Sequence, residues 1–130
     1  MTYKINASHI YVKDEGYEII VSFANDPQDP DKFIIIQGRH EHDEQDRRLG
    51  MDTVYIEISD NRQPDYGHIE SFILNGDSLS IRLERETSER LGVDEEILIE
   101  LTGGETQKSE AISMLKYISN VEGIEFKENV

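Results

Sequence analysis

Alternation of apolar and polar residues is the dominant pattern along this chain, and it predicts β-strands over most of its length. Three segments show the period of two most clearly: Thr53–Ile58, Ser78–Leu83 and Glu96–Leu101. Each places its Val, Ile or Leu residues on one face and its polar residues on the other, as expected for a sheet with one face against a core.

Three further strands are predicted from less uniform patterns. Tyr17–Ala24 alternates well and puts Tyr17 on the same face as its aliphatic residues. Ile5–Val12 alternates less regularly and is interpreted as an edge strand, joined to Tyr17–Ala24 by a turn at Gly16. Phe33–Ile36 is apolar throughout, which is typical of a strand covered on both faces.

The second half of the chain contains the clearest hairpin signal. A strand at His68–Leu74 is followed by Asn75-Gly76, a dipeptide that favours the positive φ angles of a type I′ turn. A last short strand is predicted at Ile124–Phe126. Because hairpin turns rather than helical crossovers join most of these strands, the sheet is expected to be antiparallel.

The period changes from two to 3.6 near the C-terminus. From Thr106 to Asn120, apolar residues recur at helical spacing, and Gly123 marks the end of this helix. Glu86–Gly92 is compatible with a single helical turn that ends at glycine. We therefore expect one domain spanning residues 1–130, of the α+β class: a mainly antiparallel β-sheet of about seven or eight strands, curved or two-layer, with one C-terminal helix packed on it.

Charge narrows the range of partners. The 130 residues include 28 Asp and Glu against 13 Lys and Arg, for a formal net charge of −15. A field this negative repels phosphate backbones and attracts basic proteins, so no nucleic-acid partner is expected. There is no cysteine, no membrane-spanning run and no apolar N-terminal segment of signal-peptide length. We expect a cytoplasmic protein without a membrane partner, either a monomer or a homodimer formed through a strand edge near the N-terminus.

A candidate metal site lies in the charge-dense segment Gly38–Arg48. His40 and His42 are separated by one residue, so on a strand they would face the same way and could share a metal ion with Asp43. A solvated polar loop is the competing interpretation, because such clusters arise readily in an acidic sequence. No cysteine nucleophile, serine elbow or phosphate-binding loop is present, so catalysis is not predicted.

Aromatic residues interleaved with carboxylates form a candidate protein-binding surface. Tyr55, Tyr66, His68 and Phe72 are interleaved in the sequence with Glu57 and Glu70, and on one side of a sheet such a set supplies anchors surrounded by steering charges. In the alternative interpretation, Tyr55 packs under the helix and Tyr66 marks a junction between a loop and a strand.

The same central stretch resembles a known family. Gln37, Asp46, the segment Gly50–Glu57, Gln63 and the segment Tyr66–Glu70 together resemble immunity protein family 10 of bacterial polymorphic toxin systems. The chain differs from the family pattern at His68, where a glycine often follows the Tyr-Gly pair.

The resemblance implies a cytoplasmic antitoxin, encoded beside a toxin gene, that binds and blocks its cognate toxin without catalysis or a cofactor. The positions shared with the family would be Gln37, Asp46, Asp52, Tyr55, Glu57 and Tyr66. A strongly acidic domain also suits an inhibitor of a basic toxin such as a nuclease. The predicted partner-binding residues are Asp46, Asp52, Tyr55, Glu57, Tyr66, His68 and Glu70. The alternative function is an acidic domain that binds a small ligand or a divalent metal through His40–Asp46.

Overall fold

The computed structural model describes residues 3–26, 28, 32–40, 54–59 and 65–129, which form two five-stranded sheets and two helices. Sheet 1 contains, in spatial order, β1 (Tyr3–Ala7), β9 (Glu96–Leu101), β8 (Ser78–Leu83), β7 (Ile69–Asn75) and β10 (Glu125–Asn129). Sheet 2 contains β2 (His9–Asp14), β3 (Glu18–Ala24), β4 (Phe33–Arg39), β5 (Val54–Ile58) and β6 (Asp65–Gly67). The helices are α1 (Arg85–Leu91) and α2 (Glu105–Glu122).

The predicted fold class is confirmed: the chain is a two-layer α+β protein with mainly antiparallel strands and a long C-terminal helix. Two pairings are parallel, β1 with β9 and β10 with β7. The described residues contain ten strands rather than seven or eight. The added strands are β6, which was not predicted, and a second strand from the division of Ile5–Val12.

The inner faces of both sheets contribute to one hydrophobic core. Alternate residues of β3, β4, β5, β8 and β9 are buried, as their period of two predicts. In sheet 2 this core includes Ile19, Val21 and Phe23 of β3, all completely buried. Tyr17 does not continue this row, because β3 begins at Glu18 and Tyr17 is 65% exposed in the preceding turn.

The irregular alternation of Ile5–Val12 reflects a change of sheet. Ser8 lies between β1 and β2, and its amide donates a hydrogen bond to the Asn6 carbonyl at 3.1 Å. The buried positions therefore shift by one residue, from the odd-numbered Ile5 and Ala7 in β1 to the even-numbered Ile10 in β2. A single predicted strand is thus two strands that belong to opposite layers.

Helix α2 contacts β2, β3, β4 and β10 and closes one side of the core. Its buried stripe is Ala111, Leu115 and Ile118, as the helical period predicts. Gly38 permits this packing, because a Cβ atom there would lie 2.8 Å from Ile118 Cγ1. The helix ends at Gly123 in the left-handed conformation, with φ of 71°.

The β7–β8 hairpin is confirmed, but its turn differs from the prediction. Asn75 pairs with Ser78, so the two turn residues are Gly76 and Asp77. Gly76 has φ of 58°, and no described residue other than glycine has positive φ. A positive φ at the first turn position alone fits a type II′ turn, because a type I′ turn would also require one at Asp77.

Two backbone carbonyls on the free edge of β1 have partners within the chain. The Lys4 carbonyl accepts a hydrogen bond from Lys32 Nζ at 3.2 Å, and the Asn6 carbonyl accepts one from the Ser8 amide. β2, which derives from the same predicted strand, also lies at a sheet edge. Neither described helix is long and apolar enough to cross a membrane.

Candidate functional site

The outer faces of the two sheets differ in chemistry. Sheet 1 presents mainly Ser, Glu, Arg, Lys and Asn side chains on its outside. Sheet 2 instead presents a group of apolar and aromatic residues on its outside: Tyr11, Ile20, Ala24, Phe33, Ile35 and Tyr55. All are partly or largely accessible, and Tyr11 is 54% exposed. An accessible apolar sheet face of this kind is typical of a binding surface.

A furrow runs along β3 on this face, and we call it the β3 furrow. Its floor is formed by the small residues Ser22 and Ala24. Tyr11 pairs with Ser22 from one side, and Ile35 pairs with it from the other. His9 beside Ala24 and Phe33 opposite it extend these walls, and the start of α2 also contributes to the lining. The furrow has a volume of about 810 Å³. Small residues between large ones therefore create the depression.

The furrow contains a serine and a histidine that contact each other. Ser8 Oγ lies 2.9 Å from His9 Nδ1, and which of the two donates depends on the histidine tautomer. The Asn25 carbonyl lies 3.1 Å from the same hydroxyl and can only accept. Because the hydroxyl has one proton, Ser8 donates either to Asn25 or to His9.

The structure places three positions singled out by the family resemblance in one row. Gln37 of β4 pairs with Tyr55 of β5, and Tyr55 pairs with Tyr66 of β6. The same face carries Glu57, which pairs with Ile35. Tyr55 is half-buried on the outer face, whereas α2 packs over Gly38 on the inner face, so Tyr55 does not pack under the helix.

His68 and Glu70 are separated from this row. His68 is exposed between β6 and β7, where its amide donates to Thr87 Oγ1 at 3.0 Å. Its backbone does not have positive φ, so a histidine is accommodated where the family often has glycine. Glu70 is exposed at a register shift in β7, within the other sheet. Phe72 of the same strand is completely buried in the core, so its expected place on a binding surface was wrong. Asp46 and Asp52 lie outside the described residues.

Of the described residues that line the β3 furrow, sequence reasoning predicted only Glu57 as a binding residue. Phe33–Ile36 was expected to be covered on both faces, but Phe33 and Ile35 are partly exposed while Ile34 and Ile36 are buried. The available signal was the contrast between small Ser22 and Ala24 and the large residues of other strands. It becomes informative only when the strand pairing is known.

His40 belongs to a hydrogen-bonded cluster rather than to a described metal site. His40 Nε2 lies 2.9 Å from Asp14 Oδ1, and His40 Nδ1 lies 2.7 Å from the Tyr117 hydroxyl. In the neutral ring, Nε2–H donates to the carboxylate and Nδ1 accepts from the tyrosine. A metal ion at His40 would have to displace one of these partners. His42 and Asp43 lie outside the described residues, and within the described part no group of three or more histidine or acidic residues could hold a metal.

The Asp14–His40 contact predicts a pH-dependent contribution to stability. The hydrogen bond from His40, followed by that from the Gly16 amide, lowers the pKa of the Asp14 carboxyl. A carboxyl with a lowered folded-state pKa stabilises the fold above its unfolded pKa, about 3.9, and loses that contribution as the pH falls through the folded-state value. Asp14→Asn should therefore reduce stability at pH 5, and its difference from the wild-type chain should disappear in stronger acid.

Urea denaturation of both proteins over a series of pH values measures this difference. Glu95→Gln, which removes an exposed charge just before β9 and away from Asp14, is the control. A difference between Asp14→Asn and the wild-type chain that stays constant down to the lowest pH would contradict the prediction.

Comparison with known proteins adds one finding. Residues 6–109 match a family model described as Immunity protein 10. The match covers most of the chain, including all five strands of sheet 2 and the beginning of α2. No curated protein and no solved structure matched the chain.

Proposed function

Because this chain belongs to the Immunity protein 10 family, we propose that it is a cytoplasmic antitoxin that binds and neutralises a cognate toxin domain. The family match is the observation that carries this proposal. Inhibition would be stoichiometric, since the antitoxin would act by occupying the toxin surface rather than by chemical turnover. No cofactor is assigned to it.

The charge of the chain supports a basic toxin as the partner. A net charge of −15 on 130 residues creates a long-range field that accelerates encounter with a positive surface and disfavours acidic partners. The outer face of sheet 2 supplies the complementary short-range features. Tyr11 and Tyr55 are aromatic anchors, and Glu57 is an acidic group on the same face.

Co-expression tests the proposal directly. The toxin domain encoded beside this chain is placed under an inducible promoter in a bacterial host, with and without the chain. Toxin alone should arrest growth, and co-expression of the chain should restore it. A chain carrying Phe23→Ala, which removes a completely buried side chain, serves as the destabilised control. If the folded wild-type chain gives no protection and forms no complex with the purified toxin domain, the proposal is wrong.

Salt dependence tests the electrostatic part. The association rate constant should fall by about tenfold or more between low and moderate salt, because screening shortens the range of the attraction. Stopped-flow or surface-binding kinetics at several salt concentrations measure this rate. An association rate that does not vary with salt would contradict a basic partner while leaving neutralisation itself intact.

A further inference from the structure

The β3 furrow combines an apolar interior with acidic margins. Ser22 and Ala24 form the floor, and Tyr11 and Ile35 rise on either side. Its volume of about 810 Å³ falls in the range of about 300–1,000 Å³ found for pockets that enclose whole small molecules. It can therefore hold a long side chain together with parts of its neighbours.

Carboxylate side chains lie on two sides of the furrow. Asp26 follows β3 beyond Ala24, and Glu57 lies beside Ile35 on the next strand. Asp26 Oδ1 accepts a hydrogen bond from the Gln28 amide at 2.9 Å. Both groups favour a cation in the furrow.

The described lining of the furrow is acidic at its margins, and none of its residues is Lys or Arg. Lys32 precedes Phe33, but its Nζ contacts the Lys4 carbonyl at 3.2 Å and lies 5.2 Å from the centre of the Tyr3 ring. Lys32 is thus held against β1. A cationic group from a partner would complement the described lining.

Resting on the proposed function, we infer that the β3 furrow receives an arginine side chain projecting from the toxin domain. Arginine matches each feature of the furrow. Its aliphatic stem packs on an apolar floor such as Ala24, and its planar guanidinium stacks on an exposed ring such as Tyr11. The same guanidinium donates paired hydrogen bonds to a carboxylate such as Glu57. The bound arginine lies along β3, between the walls.

Two variants of the full-length chain separate the parts of this inference. Ala24→Leu fills the floor without changing charge, and Glu57→Gln removes one carboxylate without changing size. The matched controls are Asn120→Leu and Glu110→Gln, which make the same kinds of change at exposed positions of α2. Unfolding curves of all four variants verify that each is folded.

Calorimetry with the purified toxin domain measures binding. Ala24→Leu and Glu57→Gln should each raise the dissociation constant at least tenfold, and the controls should stay within twofold of the wild-type chain. Among single Arg→Ala variants of the toxin domain, one should weaken binding to the wild-type chain and have much less effect on Ala24→Leu. That coupling identifies the inserted arginine.

The outcomes distinguish this inference from the proposed function. A wild-type chain that neither binds nor neutralises the toxin overturns both. A wild-type chain that neutralises it, with folded Ala24→Leu and Glu57→Gln binding as tightly as their controls, overturns the arginine site alone. If Ala24→Leu does not fold, Glu57→Gln and its coupling to the toxin arginine variants decide the matter.

Discussion

Replacing Phe23 by alanine is expected to lower the free energy of unfolding by about 3–5 kcal/mol. Phe23 is completely buried and is among the largest side chains enclosed by the core. It lies on β3, between Ile10 of β2 and Ile34 of β4, on the inner face of sheet 2. Removing its ring loses the transfer free energy of a buried aromatic group and leaves a cavity that strands fixed on both sides cannot fill.

Urea denaturation followed by circular dichroism measures the Phe23→Ala effect. The matched control is Ser22→Ala, one residue earlier on the outer face, which should change the free energy of unfolding by no more than about 0.5 kcal/mol. A loss below about 1 kcal/mol for Phe23→Ala would show that the inner face of β3 is not tightly packed, since core truncations of this size cost several times more.

The residues on the inner faces of the sheets can be predicted directly from the sequence. In β5, β8 and β9 the residues expected to face the core are the buried ones, because a period of two assigns every side chain of a strand once one is fixed. The buried stripe of α2 follows from its period of 3.6 for the same reason. These are local patterns, and no knowledge of the neighbouring strand is needed to interpret them.

The strand order of sheet 1 could not be predicted from the periodicity of its separate strands. Its two edge strands, β1 and β10, pair in parallel with strands far away in the sequence, with Tyr3 opposite Ile97 and Glu125 opposite Ser71. Such pairings have no turn signal, since parallel strands are joined by long connections. The division at Ser8 was likewise visible only as an irregular alternation, which the separation of β1 and β2 into two sheets explains.

The candidate site likewise depends on strand pairing that the sequence does not reveal. Tyr55 and Glu57 were predicted as binding residues from their alternation, and the structure places both on the outer face of sheet 2. Their joint surface with Tyr11, Ser22 and Ile35 depends on register across four strands. Sequence proximity instead grouped them with Glu70, which belongs to sheet 1.

The Tyr66-Gly67 pair leads to a second prediction with a large effect. Gly67 is buried, and a Cβ atom at this position would lie 2.5 Å from Thr87 Cγ2 of helix α1. Thr87 is 1% exposed, and its Oγ1 accepts a hydrogen bond from the His68 amide. Packing and this hydrogen bond therefore both restrict movement of the Thr87 side chain. Gly67→Ala should therefore lower the free energy of unfolding by about 1–3 kcal/mol through overpacking.

A compensating substitution at Thr87 tests this cause. Thr87→Ser removes the clashing methyl group and keeps the oxygen that accepts the His68 amide. Alone it should cost about 0.8 kcal/mol for the lost buried methyl group. Combined with Gly67→Ala, it should give a protein that is more stable than Gly67→Ala alone, a coupling that a double-mutant cycle in urea detects.

Additive losses in that cycle would mean that Gly67 is required for a reason other than its contact with Thr87. Strong coupling would identify the glycine of the Tyr-Gly pair as the point where α1 approaches sheet 2, which is a structural role. Gly67 would then fix β6, whose Tyr66 pairs with Tyr55 on the outer face. The glycine of the family motif would in that case hold the edge of sheet 2 in place, beside Tyr55 of the surface that we propose binds the toxin.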